Sequence, residues 1–393
     1  MKILMVSSFL PYPLFSGGHI RLYNILKNIS KNNQVTLICE KRDYQTDQDI
    51  KEVKKVCHKL ITVPRKLQWT ISNVLKSGFS LNPFLVTGHT NSFMREKISE
   101  ELKQKFDLIH VETFYVMQNL PKVKIPIILV EHNIEYLVYE RFAKTAPFFI
   151  RPLLLLDVAK LKRSEKKYWS LATYVVTVSF KEKEIIERSR AFDVEVIPNG
   201  VDPQSFKMTD PEKKFKTKEK KILFIGDFRW IENRDSILWI LKEIWPRIHN
   251  LNPLLKLWVV GKRIPKYIKS FEGESVNFDE NAPSDTSLIY QNSFALLSPI
   301  RVGGGTSFKI LEAMAEGVPV ITTQLGIEGI KAIPNIHVLT SESSDGLANA
   351  VLKLEEPGLY KTIVQNAQKL IEEKYTWESI SKKLEVLYKK ALL

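Results

Sequence analysis

The densest run of chemically capable residues is Arg301-Val302-Gly303-Gly304-Gly305-Thr306-Ser307-Phe308-Lys309-Ile310-Leu311-Glu312. Three consecutive glycines follow an apolar stretch, and Thr306 or Ser307 can cap a helix that starts there. Amides at such a helix start form a concave anion site. Arg301 and Lys309 can add the full positive charge that a diphosphate calls for. Glu312 is expected about two turns inside the helix, where a carboxylate can accept hydrogen bonds from vicinal hydroxyls such as a ribose diol. A plain glycine-rich loop with a solvated Glu312 would not require two cations and a helix start at the same place. The implied chemistry is recognition of a nucleoside diphosphate, and no residue stands out as a covalent nucleophile.

Three further segments carry polar groups at turns. Ser16-Gly17-Gly18-His19 follows a Pro-rich loop, and its paired glycines let amides approach an anion at a helix start, although the spacing is not G-x-G-x-x-G. Glu131-His132-Asn133 comes directly after an apolar run, where open parallel sheets place ligands, so His132 is a candidate site residue as readily as a structural one. Pro198-Asn199-Gly200-Val201-Asp202 reads first as a sharp structural turn.

The elements that must position these groups repeat one rhythm. Apolar β-branched runs at 2–6, 35–39, 108–111, 127–130, 174–178 and 194–197 read as buried parallel strands, with a helix at about 19–30 after the first. The pattern breaks at 207–221, which is rich in Lys and Glu and lacks an apolar period. It restarts with strands at 222–225, 255–260, 295–298 and 319–322, helices at 236–248 and 308–315, and a long amphipathic helix from 378. The expected organisation is an N-terminal Rossmann-like domain over 1–205, a linker at 206–220 and a C-terminal Rossmann-like domain over 221–376. A C-terminal helix at 377–393 is expected to pack back toward the N-terminal domain. Two such α/β domains facing each other would form a cleft for ligand.

Composition bounds the function. The chain has 393 residues and a formal charge of +14, which favours anionic partners. Its basic residues are spread along the chain without an aromatic-interleaved patch, which argues against nucleic acid. Cys39 and Cys57 are the only cysteines, so neither a disulfide framework nor structural zinc is expected, and a reducing, cytoplasmic setting fits. The apolar start Ile3 to Val6 is interrupted by Ser7, Ser8, Pro11 and Pro13, unlike a signal peptide.

Together Pro198-Asn199-Gly200-Val201-Asp202, Leu223-Phe224-Ile225-Gly226, Gly303-Gly304-Gly305-Thr306, Lys309-Ile310-Leu311-Glu312-Ala313-Met314-Ala315 and Gly317-Val318-Pro319-Val320-Ile321 resemble the family 4 glycosyltransferases, which have the GT-B fold, over nearly the whole chain. The resemblance implies sugar transfer with retention from a nucleotide-diphosphate sugar, without a catalytic metal or other cofactor. It implies that Glu312 holds the ribose and that the amides of Gly303, Gly304, Gly305, Thr306 and Ser307 meet the diphosphate and sugar. Gly17 and Gly18 would close over the phosphates, and His132 would face the sugar. The family often has a second glutamate eight positions before Glu312, where this chain has Gly304. It also often has an Arg and a Lys just after the glycine matched by Gly226. Here Arg229 is the nearest cation, in a shifted register, so Arg301 and Lys309 are expected to carry the missing phosphate charge.

The acceptor expected is a glycan or lipid-linked glycan, as in polysaccharide biosynthesis. Residues 148–169 combine an apolar stripe with Arg151, Lys160, Lys162, Arg163, Lys166 and Lys167. This is either a core-packed helix with a basic solvated face or a helix lying on an anionic membrane at its inner face. The alternatives to a transferase are a nucleotide-sugar epimerase on the same fold and a non-catalytic partner subunit.

Overall fold

A computed structural model describes residues 1–189, 193–202, 205–206, 210–217, 219–281, 286–302 and 305–393. The chain forms two compact units, Met1–Ile197 with Ile380–Leu393, and Pro198–Ser379.

The first unit is built on strands β1 Lys2–Ser7, β2 Gln34–Lys41, β3 Lys59–Pro64, β4 Leu108–Glu112, β5 Ile127–Glu131, β6 Tyr174–Thr177 and β7 Val194–Val196. They lie in the order β3-β2-β1-β4-β5-β6-β7, and every neighbouring pair is parallel. The apolar runs are continuous because both faces of the sheet are covered. Ile3, Leu4, Met5 and Val6 in β1 are fully buried, as are Ile128, Leu129 and Val130 in β5.

The second unit has β8 Lys221–Asp227, β9 Lys256–Lys262, β10 Val276–Asp279, β11 Ala295–Ser298, β12 Val320–Thr322 and β13 Leu339–Thr340, in the order β10-β9-β8-β11-β12-β13 and again all parallel. In both sheets the strand order reverses beside the first strand of the unit, between β1 and β4 and between β8 and β11. Loops leaving the carboxyl ends there diverge to opposite faces and leave a crevice.

The helix expected at 236–248 differs from expectation. It starts earlier, at Ile231, and runs as α-helix Ile231–Trp239, a π-helical turn Ile240–Ile244 and α-helix Trp245–Leu251. Pro246 has no N–H to continue the ladder, and the wider turn just before it absorbs the break, with Trp245 N–H donating to the Ile240 carbonyl. Within 206–220 a short helix, Pro211–Phe215, begins at Asp210, whose carboxylate accepts from Glu212 N–H at 3.0 Å. Phe215 from that helix packs on Phe294 and Tyr360 of the second unit. The C-terminal helix Trp377–Ala391 buries Ile380, Leu384, Leu387 and Tyr388.

Helix Arg151–Trp169 divides the two readings of 148–169 between its halves. Val158, Leu161, Tyr168 and Trp169 are buried, whereas Leu153, Leu155 and Leu156 near its start are exposed. Among the described residues, no helix is long and apolar enough to cross a membrane.

Candidate functional site

In the second unit the site is assembled at the carboxyl ends of β8 and β11. Gly303 and Gly304 lie outside the described residues. Gly305 has φ +78°, a left-handed conformation suited to glycine, and delivers the chain into helix Phe308–Glu316. Ser307 is the residue before that helix, but its side chain makes no capping hydrogen bond. The buried Thr306 directs its hydroxyl to the Gly329 carbonyl at 3.4 Å. Ser307, the residue at the cap position, therefore does not cap the helix with its side chain. The helix begins at Phe308 as expected, which puts Glu312 little more than one turn inside it and not two.

Lys309 and Glu312 lie on adjoining turns and are linked through partners. Lys309 Nζ donates to Asn233 Oδ1 at 2.6 Å, and Asn233 Nδ2 donates to the Asp227 carbonyl at 2.8 Å. Lys309 Nζ also sits 4.9 Å from the centre of the Phe224 ring. Tyr290 donates its hydroxyl to Glu312 Oε2 at 3.0 Å. Burial pushes the Lys309 ammonium down to about 8, with Glu232 and Glu312 opposing. Burial raises the Glu312 carboxyl to about 7, with Tyr290 and Lys309 opposing. Both groups thus titrate near neutrality and can respond to a charged, hydroxyl-bearing ligand.

Gly226 is required by this arrangement. A Cβ there would come within 2.7 Å of the Asn233 amide, which would have to leave its place between Lys309 and Asp227.

The two arginines expected to meet phosphate are already engaged. Arg301 makes a two-pronged contact with Asp235, Nε to Oδ2 at 3.1 Å and Nη2 to Oδ1 at 2.8 Å, and stacks 4.4 Å above the Trp239 ring. Arg229 Nε donates to Asp227 Oδ2 at 3.0 Å, and Arg263 reaches the same oxygen at 3.1 Å. Lys309, by contrast, donates to a neutral group, the Asn233 amide.

The first unit places its candidates at the carboxyl ends of β1, β4 and β5. The loop after β1 is pinned by the buried Gln45, whose amide donates to the carbonyls of Leu10 at 3.0 Å and Tyr12 at 2.6 Å. Helix Gly17–Ile29 then begins at the paired glycines. A Cβ on Gly18 would lie 3.4 Å from His132 Nδ1, an ordinary contact. Gly18 therefore relieves no strain; it leaves the space over the imidazole open. Beside it, His19 is held down to about 4 by burial and by the charge of Arg42, and its ring bonds Ser16 Oγ at 2.7 Å.

His132 belongs to a buried relay that the sequence reading missed. Its Nε2 bonds Glu112 Oε2, and Glu112 Oε1 accepts from His110 Nε2 at 2.9 Å. His110 Nδ1 is in turn 2.6 Å from the Tyr388 hydroxyl on the C-terminal helix. Glu112 and His110 are fully buried. Burial pushes the Glu112 carboxyl up, but His132 and His110 outweigh it and hold it below its usual range. A carboxylate on Nε2 keeps the imidazole proton there and directs the Nδ1 lone pair toward Gly18. His132 can then accept a hydroxyl hydrogen bond or a proton at Nδ1. Its neighbour Glu131 turns inward instead and accepts from Trp169 Nε1 at 2.9 Å, while Asn133 is exposed.

The missed residues had a usable signal. His110 and Glu112 are two positions apart in an otherwise apolar strand, so they point to one face, and ionisable groups that deep need partners. Tyr290, Asn233 and Tyr388 had none, because they are brought in by packing of distant helices.

Comparison with known proteins identifies the family and the fold. Residues 15–205 match the family described as Glycosyltransferase Family 4, and residues 219–356 match Glycosyl transferases group 1. A Klebsiella pneumoniae relative, an uncharacterised 44.6 kDa protein in the cps region, is 24% identical over 84% of each chain. Among solved structures, sucrose-phosphate synthase from Thermosynechococcus elongatus superposes with a TM-score of 0.73 at 17% identity, over 99% of both chains. HepE from Anabaena, in complex with UDP and glucose, gives 0.65 at 15% identity over 99% of this chain and 100% of its own. With each parallel-sheet unit matched by its own family description, the chain belongs to the family 4, group 1 glycosyltransferases and has the GT-B fold.

Proposed function

We propose that this glycosyltransferase moves a sugar, with retention of anomeric configuration, from a nucleotide-diphosphate sugar to a glycan or lipid-linked glycan. The observation that carries the donor half is the Lys309–Asn233–Asp227 chain beside the Tyr290–Glu312 pair, at the switch point of a parallel sheet. A protonated Lys309 meets the diphosphate together with amides at the start of helix Phe308–Glu316, and an ionised Glu312 accepts from the ribose hydroxyls. Arg229 and Arg301 add charge when they exchange Asp227 and Asp235 for phosphate. As the bond from the anomeric carbon to the diphosphate oxygen breaks, negative charge grows on the leaving group, and prearranged cations and amides stabilise it. No metal is needed for that stabilisation. His132, fixed by Glu112, offers Nδ1 to a sugar hydroxyl.

A uridine diphosphate donor is the first to test, since HepE is described in complex with UDP. The cps-region relative supports a place in polysaccharide assembly. A thermal-shift screen of nucleotide diphosphates and their sugars tests the donor, because a ligand bound only by the folded state raises the melting temperature. A nucleotide that raises it by several degrees, followed by sugar transfer to an added glycan acceptor, supports the proposal. Release of a free epimer without transfer would replace it with epimerase chemistry. No shift with any nucleotide would overturn it.

A further inference from the structure

Two segments of the first unit share an unusual composition. Residues 65–95 contain no Asp or Glu but include Arg65, Lys66, Lys76 and Arg95. Residues 141–156 also contain no Asp or Glu and include Arg141, Lys144 and Arg151. The first segment exposes eight large apolar side chains and the second seven. Trp69 is 82% exposed and Phe79 91% in the first; Phe148 is 83% and Leu153 69% in the second. Exposed apolar residues are ordinary when scattered, but contiguous patches mark contact surfaces.

The two segments are packed together. Lys160 Nζ donates to the Ser77 carbonyl at 2.8 Å. Asp157, the first acid after the second segment, turns inward and accepts from Ser77 Oγ at 3.3 Å and from Phe84 N–H at 2.9 Å, holding helices Ile71–Gly78 and Phe84–Gly88 against helix Arg151–Trp169. The acid at the junction therefore joins the two segments and is only partly exposed.

Beside this face lies a cavity of about 830 Å³ whose lining includes Lys66, Lys76, Phe79, Ser92 and Arg95. Lys76 and Phe79 are exposed, so cavity and apolar face are continuous. Lys66 donates to Ser92 Oγ at 3.3 Å and Arg95 to the Gln118 carbonyl at 3.0 Å, both uncharged acceptors. Glu96 is the one carboxylate in the lining. A volume of this size holds a small polar group of a few hundred Å³ with room for water.

We propose that residues 65–82 and 141–156 form one face that docks on an anionic phospholipid surface, with the Lys66–Lys76–Arg95 cavity taking a phosphate-bearing lipid headgroup. Apolar side chains enter the acyl boundary while the cations meet phosphates, and the missing acids remove the repulsion that an anionic leaflet would otherwise meet. This inference does not rest on the transfer reaction, and it widens the surface from one helix to two packed segments with a headgroup site.

The test is flotation of the full chain with vesicles of phosphatidylcholine alone or with one third phosphatidylglycerol, in low and high salt. The expected result is binding to the anionic vesicles only, weakened by salt. Phe79→Glu with Phe148→Glu should abolish flotation. Lys66→Glu with Lys76→Glu should weaken it by about tenfold or more. Unchanged thermal melting identifies these variants as folded. Melting and nucleotide binding are read in the same preparations, so failure of the docking face is separable from failure of the donor site. Flotation equal on neutral and anionic vesicles, or retained in both double variants, would overturn the proposal. So would a dimer that the Phe79/Phe148 variant dissociates and that does not float.

Discussion

At the carboxyl ends of β8 and β11, Lys309 is lowered to about 8 and Glu312 raised to about 7, each by burial that its partners only partly offset. At the ends of β4 and β5, burial acts on Glu112 in the same upward direction, yet two histidines reverse it. The second unit thus keeps its charges close to their titration points and its arginines on exchangeable carboxylates. The first locks one carboxylate in the charged form and uses it to orient His132. The contrast separates a region suited to gripping an anion from one suited to holding a single imidazole in a fixed tautomer.

The largest effect should come from breaking the relay. Glu112→Gln removes the anion that retains the proton on His132 Nε2, and kcat for sugar transfer should fall about 100-fold or more. Nucleotide affinity, measured by calorimetry, should stay within about twofold. A variant with unchanged kcat would show that the relay is structural and does not orient an acting imidazole. Phe in place of Tyr388 tests the far end of the relay. It leaves His110 Nδ1 without its hydroxyl donor and should cost about 1–3 kcal/mol of stability, read from chemical denaturation, with a smaller loss of kcat.

The reverse pattern is expected in the second unit. Lys309→Met should weaken nucleotide-diphosphate binding by about 10–100-fold, the range for a lost hydrogen bond to a charged group. Glu312→Gln should weaken it less, about tenfold, and only for ligands that carry the ribose diol. If Lys309→Met lowered kcat without altering affinity, the division between the two regions would fail.

Acidity sharpens the comparison. The proposed donor site needs Glu312 ionised and Lys309 protonated, so affinity should rise with pH through about 7 and fall above about 8. Glu312→Gln should remove the acid limb, and Lys309→Met the alkaline limb. Stability moves in the opposite sense. Glu312 binds its proton more tightly folded than unfolded, so its contribution is present below the unfolded value of 4.5 and is lost as pH rises through about 7. Lys309 holds its proton less tightly folded, so it costs stability below about 8, and that cost disappears as pH rises toward 10.5.

The sequence exposed the backbone of this arrangement better than its partners. Strands such as Ala295–Ser298 and Ile127–Glu131 are legible because burial on both faces leaves uninterrupted apolar runs. β3 Lys59–Pro64 is not, since it is an edge strand with most of its residues only half buried and with Lys59 at its start. Lys309, Glu312 and His132 stand out by type and by their place after a strand. Their partners do not: Asn233 is 76 positions from Lys309 and Tyr388 is 278 from His110, so only the packed fold joins them. The pairing of Arg301 with Asp235 is hidden for the same reason, and it changes what that arginine is expected to do.

Arg301 gives the smallest effect and the one with a distinctive sign. Its guanidinium is 43% exposed, so the ion pair with Asp235 contributes at most about 1 kcal/mol, and Arg301→Ala should barely change the melting temperature. In the proposed site this guanidinium exchanges Asp235 for phosphate, so the pair offsets part of what the new contact gains. Arg301→Ala should therefore weaken nucleotide-diphosphate binding only about two- to fivefold, within the range of one exposed ion pair. Asp235→Asn frees the guanidinium without moving it from its stack on Trp239, and should tighten binding by a similar factor. If Asp235→Asn instead weakened binding, the carboxylate would be holding Arg301 in its productive place, and the second unit would share the fixed geometry of the first.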